Sequence, residues 1–373
     1  DNWDTAQAVT VTGIDDTDTD GNQHYKVDLY AENVITSVPE VTTIAGGSYG
    51  YQDGSGTEAY FSYPQAVTSD GTSIYVADSD NHRIRRIDIS TGEVTTFAGS
   101  GDADFYDGNG INARFNYPAG ITTDGTNLYV ADTNNHKIRK VVISSGVVTT
   151  IAGGGNYNSG YQDGNGVNAR FNHPHGITTD GTNLYVADSN NNRIRKIDIS
   201  TKEVETIAGD GDYNSYDGNG TNSGINYPKG VATDGSNLYV AETYGYKIRK
   251  IDLSTEEVTT LAGSGTYSSS DGHGTEAGFR SPSGITIEGS DMYVVDSDGY
   301  AIRKISSRTT ETAGLSLHNL DDDTDVTVAL SSSDTGEATV TPETLTFTED
   351  NWDTAQAVTV TGIDDTDTDG NRA

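Results

Sequence analysis

The chain has 373 residues, no cysteine and a formal net charge of −34. These facts exclude a disulfide framework and a cysteine nucleophile, and they oppose any role that reads nucleic acid or an anionic membrane. No apolar run reaches the ~18 residues that a helical bilayer span requires.

Glycine occurs 44 times, and the segments between Gly and Asp are rich in Val, Thr, Ile and Tyr. With no sustained 3.6-residue apolar period, this composition predicts an all-β chain with many turns.

The first element is a head segment. Asp1 to Asn22 reads DNWDTAQAVTVTGIDDTDTDGN and returns unchanged at Asp350 to Asn371. A repeat without substitutions reads as one period of a tandem array in a much larger protein, and such arrays are commonly structural or adhesive. Inside it, Asp16, Asp18 and Asp20 alternate with threonine before Gly21, and Asp365, Asp367 and Asp369 repeat the spacing. Alternate carboxylates in a tight loop converge on one point, and hard oxygen ligands at this density suit Ca2+. The twelfth position holds no Glu, so the loop is not an EF-hand. The plainer reading is a solvated acidic turn. A β-prone run, Tyr25 to Leu29, follows.

A five-fold repeat occupies the middle of the chain. A Pro-x-Gly/Ala-Ile/Val segment recurs at Pro64, Pro118, Pro174, Pro228 and Pro282, in steps of 54, 56, 54 and 54 residues. Each copy continues with a turn such as Asp124-Gly125, then a run such as Leu128-Tyr129-Val130-Ala131-Asp132, then Ile138-Arg139-Lys140, then Val148 to Gly153. Asp-Gly between two β-prone runs is a hairpin signal, since both positions tolerate positive φ. Four antiparallel strands at this period describe a propeller blade.

The stretches Tyr129 to Lys140 and Gly176-Ile177-Thr178 resemble the NHL-repeat family, over residues 41–305. NHL propellers commonly have six blades. This chain supplies each strand type five times, so five blades are expected, with a sixth assembled from flanking segments as the alternative. The copy of the fourth strand at Ala45 precedes any first strand, and the blade beginning at Pro282 lacks a clear one. Val41 to Gly46 is therefore expected to complete that last blade and remove an open edge.

The tail, joined to the head, reads as an antiparallel β-sandwich with strands such as Val326 to Leu330, Leu345 to Phe347 and Val358 to Val360. Ser331 to Asp334, Asn351-Trp352, Gln356 to Val360 and Gly362 to Asp365 resemble a Calx-β domain. The resulting plan is residues 1–36 as the later part of a Calx-β-like sandwich, 37–308 as the propeller, and 309–373 as the earlier part. Each part is incomplete and needs strands from an adjacent unit or a neighbouring subunit. Calx-β domains bind Ca2+ through acidic loops, so the resemblance places Asp321 and Asp323 beside the other candidate ligands.

Other motifs read more plainly. The Asp-Gly-Asn-Gly links, such as Asp107 to Gly110, read as turn chemistry rather than metal sites. The recurring acid (Asp78, Asp132, Asp188, Glu242, Asp296) and arginine (Arg85, Arg139, Arg195, Arg249, Arg303) read as ion pairs that lock strands. His173-Pro174-His175 offers too few ligands for a metal. His82 and His136 stand where another copy has Asn192, which makes them structural. There is no nucleophile elbow and no phosphate-binding glycine loop.

Symmetry argues against an enzyme, because catalysis distinguishes one blade from the others. The expectation is a structural unit of an extracellular or cell-surface prokaryotic protein, an adhesin or filament that self-associates through its sandwich segments. A glycan- or peptide-binding propeller is the alternative, since the 22 tyrosines suit stacking. A metal-dependent propeller lyase or hydrolase is the third reading.

Overall fold

The computed structural model describes residues 42–154 and 159–306, with strand segments 311–315, 326–329, 338–341, 344–347 and 356–362. The chain divides into two compact units, one of residues 41–307 and one formed by residues 1–40 with 308–373.

The larger unit is a five-bladed β-propeller. Blade one comprises Pro64–Ser69, Ser73–Asp78, Arg83–Asp88 and Glu93–Ala98. Blade two comprises Pro118–Thr123, Asn127–Asp132, Lys137–Val142 and Val147–Ala152. Blade three comprises Pro174–Thr179, Asn183–Asp188, Arg193–Asp198 and Glu203–Ala208. Blade four comprises Pro228–Thr233, Asn237–Glu242, Lys247–Asp252 and Glu257–Ala262. In each, the strands pair antiparallel in chain order, and a two-residue strand from the preceding link pairs outside the fourth.

Blade five has three described strands, Pro282–Glu288, Asp291–Asp296 and Ala301–Ser306. Among the described residues the expected outer strand is not paired there: Ala301–Ser306 pairs with its hairpin partner alone, and Thr42 to Gly46 is not a strand.

Blades one to four each open with the hairpin that the Asp-Gly pair foretells, and blade five has Glu288-Gly289 at that turn. The Asp124 carboxylate accepts the Thr126 and Asn127 backbone N–H groups at 2.8 and 2.7 Å, and the Tyr129 hydroxyl at 2.8 Å. The next residue, Gly125, has φ +82°, which a side chain resists. One Asp thus shapes the turn and ties down the tyrosine five residues on. Burial works against ionisation, but these hydrogen bonds win and hold the Asp124 carboxyl low, and the equivalent Asp70 sits at about 2.

The hydrophobic core lies between blades. Tyr75, Ala77, Ile84 and Ala98 of blade one pack with Phe115, Ile121, Leu128 and Val130 of the next repeat. Alternate positions face opposite sides of each sheet, so every central strand contributes to two such layers.

The second unit contributes two antiparallel sheets. Gln356–Gly362 lies between Glu311–Leu315 and Ala338–Thr341, and Val326–Ala329 pairs with Thr344–Phe347.

Candidate functional site

Strand pairing brings several loops to one end of the propeller. Pro64 is opposite Asp78, and Asp78 is opposite Arg83. Ile84 is opposite Ala98. The residue before the first strand, the turn between strands two and three, and the exit from strand four therefore share an end in blades one to four.

The frame beneath this end is a buried ion-pair network. Arg139 donates to Asp132 Oδ2 at 2.7 Å, to the Arg114 carbonyl at 3.0 Å, to the Tyr106 carbonyl at 3.0 Å and to Asp107 at 2.7 Å. Arg139 and Asp132 are fully buried. Asp132 also accepts from Asn116 N–H and Asn135 Nδ2, each at 2.8 Å. The guanidinium lies over the Phe115 ring, 5.1 Å from its centroid. Arg85, Arg195 and Arg249 repeat the pattern with Asp78, Asp188 and Glu242. Burial raises the Asp132 and Glu242 carboxyls, and Asp188 to about 6, against the pull of the paired arginines.

Read from the sequence, the link aspartates are turn residues; in the structure they are the second anionic partner of each arginine. Asp53, Asp107, Asp163, Asp217 and Asp271 lie 2.6 to 2.8 Å from the five guanidinium groups. A fixed separation of 32 residues from link Asp to arginine was the available signal.

Two contacts seal the first three seams between blades, and the first of them recurs at the fourth. Ser79, Thr133, Ser189 and Thr243 donate to the carbonyl of the proline that starts the following blade, at 2.5 to 2.8 Å. Beside them, His82 Nδ1 accepts the Tyr117 N–H at 3.1 Å, His136 Nδ1 accepts the His173 N–H at 3.1 Å, and Asn192 Oδ1 accepts the Tyr227 N–H at 2.9 Å. His82, His136 and Asn192 all have φ between 53° and 56°. This left-handed position with an acceptor explains why His and Asn interchange there.

At the fourth seam Tyr246 replaces the acceptor, and Ser281 N–H turns instead to Asp296 at 2.7 Å. Symmetry breaks around this seam. Tyr227 stacks on Tyr244 with centroids 4.5 Å apart, and Tyr246 meets Tyr267 edge-on at 5.7 Å. Tyr244 and Tyr267 are each 56% exposed.

The inner strands carry Gln65, Ala119, His175, Lys229 and Ser283 at one equivalent position. Lys229 is half-buried and, among the described residues, its ammonium makes no hydrogen bond or ion pair. It lies 5.8 Å from the Tyr227 ring. Burial lowers its pKa while Asp298 opposes the shift. Burial and the Lys229 charge hold His175 at about 4.

Asp16, Asp18, Asp20, Asp321, Asp323, Asp365, Asp367 and Asp369 lie outside the described residues. Among the described residues no group of three His, Cys, Asp or Glu side chains is placed to hold a metal.

The architecture and its recurring motif define an NHL-repeat β-propeller. The family described as NHL repeat matches residues 115–141 and 171–197. The chain is 32% identical over 281 residues to Protein SUPPRESSOR OF QUENCHING 1, chloroplastic, from Arabidopsis thaliana, an overlap of 70% of this chain and 26% of the relative. It is 30% identical over 308 residues to NHL repeat-containing protein 2 from Gallus gallus, covering 72% of this chain and 42% of the relative. The chain thus spans less than half the length of either. A solved protein of unknown function from Bacteroides thetaiotaomicron is similar at 22% identity and TM-score 0.45, covering 70% of this chain and 74% of its own, a likeness too weak to support an argument.

These relatives correct the expected function. An extracellular adhesin, surface or filament unit does not agree with a relative named chloroplastic or with others named for their NHL repeats. That expectation arose from the duplicated acidic segment and the sandwich-like flanks, whereas the similarity rests on a stretch covering 70% or more of the chain.

Proposed function

We propose that the propeller is a non-catalytic binding module that holds a peptide across its tyrosine-rich end. The observation that carries this reading is the stacked Tyr227–Tyr244 pair beside the half-buried Lys229, whose ammonium has no hydrogen-bond or ion-pair partner among the described residues. Exposed aromatic faces give a large contact area at small entropic cost, and they suit an apolar or aromatic side chain. A half-buried ammonium suits a carboxylate, such as a peptide C-terminus, that approaches along the inner strands. The buried ion pairs repeat in every blade and bind the frame to itself, so they support a scaffold role rather than a reacting group. The test is binding of a fluorescent peptide panel with free or amidated C-termini. Tyr244→Ala and Lys229→Ala should each weaken binding about tenfold, the scale of one such contact, and amidation should mimic Lys229→Ala. Equal binding of free and amidated peptides would sink the carboxylate assignment.

We also propose that the smaller unit is part of a Calx-β-like sandwich, as its two antiparallel sheets support. Asp16, Asp18, Asp20, Asp321, Asp323, Asp365, Asp367 and Asp369 would then supply oxygen ligands to Ca2+. Melting with Ca2+ and with excess EGTA tests this, and coincident curves would remove the metal assignment.

A further inference from the structure

The first strands of the blades form the inner wall, and neighbouring first strands pack directly on one another. Each carries one side chain at an equivalent place: Gln65, Ala119, His175, Lys229 and Ser283. Close backbone contact keeps these places level. A Cβ added at Gly120 would strike the His175 carbonyl oxygen, and one added at Gly176 would strike the Lys229 carbonyl oxygen. Glycine at those positions lets the strands lie backbone to backbone. His175 and Lys229 are therefore direct neighbours across the seam between blades three and four.

The other polar side chains at this level are already satisfied. Gln65 Nε2 donates to the Tyr117 hydroxyl at 3.5 Å, and Ser283 Oγ shares a hydrogen bond with Ser297 Oγ at 2.6 Å. The side chains of His175 and Lys229 have no hydrogen-bond partner among the described residues, although both residues are partly buried. A partly buried polar group without a partner carries a desolvation cost that a bound ligand removes.

A shortage of anions does not explain the Lys229 ammonium, because the chain has 56 acidic residues against 22 basic ones. Other lysines find acceptors. Lys196 pairs with Glu205 at 3.0 Å and Lys304 with Asp291 at 2.9 Å, while Lys137 and Lys247 donate to the Gly153 and Ser215 carbonyls at 3.2 Å. Asp298 acts on Lys229 only through its field. The charge that acts on His175 is that of Lys229, and with burial it keeps the imidazole neutral at pH 7. A neutral imidazole has one N–H to donate. The two neighbours thus present an ammonium and a neutral N–H donor side by side.

We propose that His175 and Lys229 form a cradle for one carboxylate, the ammonium binding one oxygen and the imidazole N–H the other. The inference rests on the peptide-binding reading and gives that site a second recognition residue. Lys229 lies two residues beyond Tyr227, so one strand entry serves both the stacked rings and the cradle. A peptide's C-terminal carboxylate sits between the first strands of blades three and four while its preceding side chains meet the tyrosines. Lys229 supplies the charge. His175 supplies direction without a second charge, which favours a planar two-oxygen group over a spherical anion.

The wall supplies its own conservative replacements, since the same place holds Gln65 in blade one and Ala119 in blade two. The full chain, carrying isotope-labelled histidine, is titrated by NMR with sodium acetate and, separately, with sodium chloride at equal ionic strength. The His175 ring signal, assigned as the one missing in His175→Gln, should shift saturably with acetate and little with chloride. The His82 signal, at the first seam, should stay in place, and Lys229→Gln should abolish the His175 shift. Acetate affinity, followed at Lys229 in a lysine-labelled sample, should fall about tenfold in His175→Ala, and His175→Gln, which keeps an N–H donor, should recover most of it. No saturable shift at His175, a shift that survives Lys229→Gln, or unchanged acetate affinity in His175→Ala would overturn the cradle. The two readings fail separately. Acetate binding with no peptide bound keeps the cradle and removes the peptide reading. Lys229-dependent peptide binding that His175→Ala leaves unchanged removes the cradle and keeps the peptide reading.

Discussion

His136 Nδ1 accepts the backbone N–H of His173 at 3.1 Å across the seam between blades two and three. The bond needs a neutral acceptor nitrogen. Burial, followed by the charges of His173 and Lys137, lowers the His136 pKa from 6.5 to about 4. The unfolded chain therefore takes up a proton before the folded one does. The contribution of this group is complete above 6.5 and is lost as pH falls toward 4. His175 is lowered similarly and adds to the same window. These histidines should lower the melting temperature between about pH 6.5 and pH 4, against the opposite contribution of Asp188, whose carboxyl burial raises to about 6. His136→Asn, the residue used at Asn192, should keep the seam and flatten part of that slope. Parallel pH profiles for the variant and the native chain would refute this account.

Arg139→Met should be among the most damaging substitutions. It leaves Asp132 buried without its cation and two carbonyls without their donor. Removing one partner of a buried pair costs about 3–5 kcal/mol. Urea unfolding should show a loss of that size, and Arg139→Lys should recover only part of it because an ammonium cannot reach four acceptors in one plane.

Gly209 directly follows the fourth strand of blade three with φ +96°, and an added Cβ would collide with the Asn192 carbonyl oxygen. Gly209→Ala combines a strained backbone with a collision against backbone, so a loss of about 2–4 kcal/mol is expected by thermal or denaturant unfolding. Gly181→Ala is the comparison. It shares the positive φ but meets nothing within 4 Å, and it should cost clearly less.

Tyr185→Phe removes one hydroxyl that donates to Asp180 at 2.8 Å. The ring remains buried, so the expected cost is about 1 kcal/mol. Burial and the Asp180 carboxylate raise the Tyr185 pKa far above its usual value. An alkaline absorbance titration should therefore lose a late-titrating phenol in the variant and keep the early ones.

The blades were legible because each element is written five times. Proline, Asp-Gly, Tyr-Val-Ala-Asp and Ile-Arg each act locally, through φ restriction, turn geometry and strand alternation. The Asp132–Arg139 pair was legible for the same reason, since seven residues across a two-strand hairpin bring the side chains together. Asp107 was not, because its partner arrives through folding of the whole blade and its Asp-Gly sequence already accounts for a turn. The His136–His173 bond was hidden for a different reason. The donor is a backbone N–H, which carries no sequence identity. The functional expectation failed where it leaned on the Asp-rich repeat, a segment that does not overlap the propeller motifs.

Gln65, Ala119, His175, Lys229 and Ser283 differ while the residues around them repeat. The Ser/Thr-to-proline bonds and the buried arginines fix the backbone without using these five side chains. The inner wall therefore behaves as five separately editable letters on a standard frame. A new ligand preference can be written there by single substitutions that leave the buried ion pairs and the seam bonds intact.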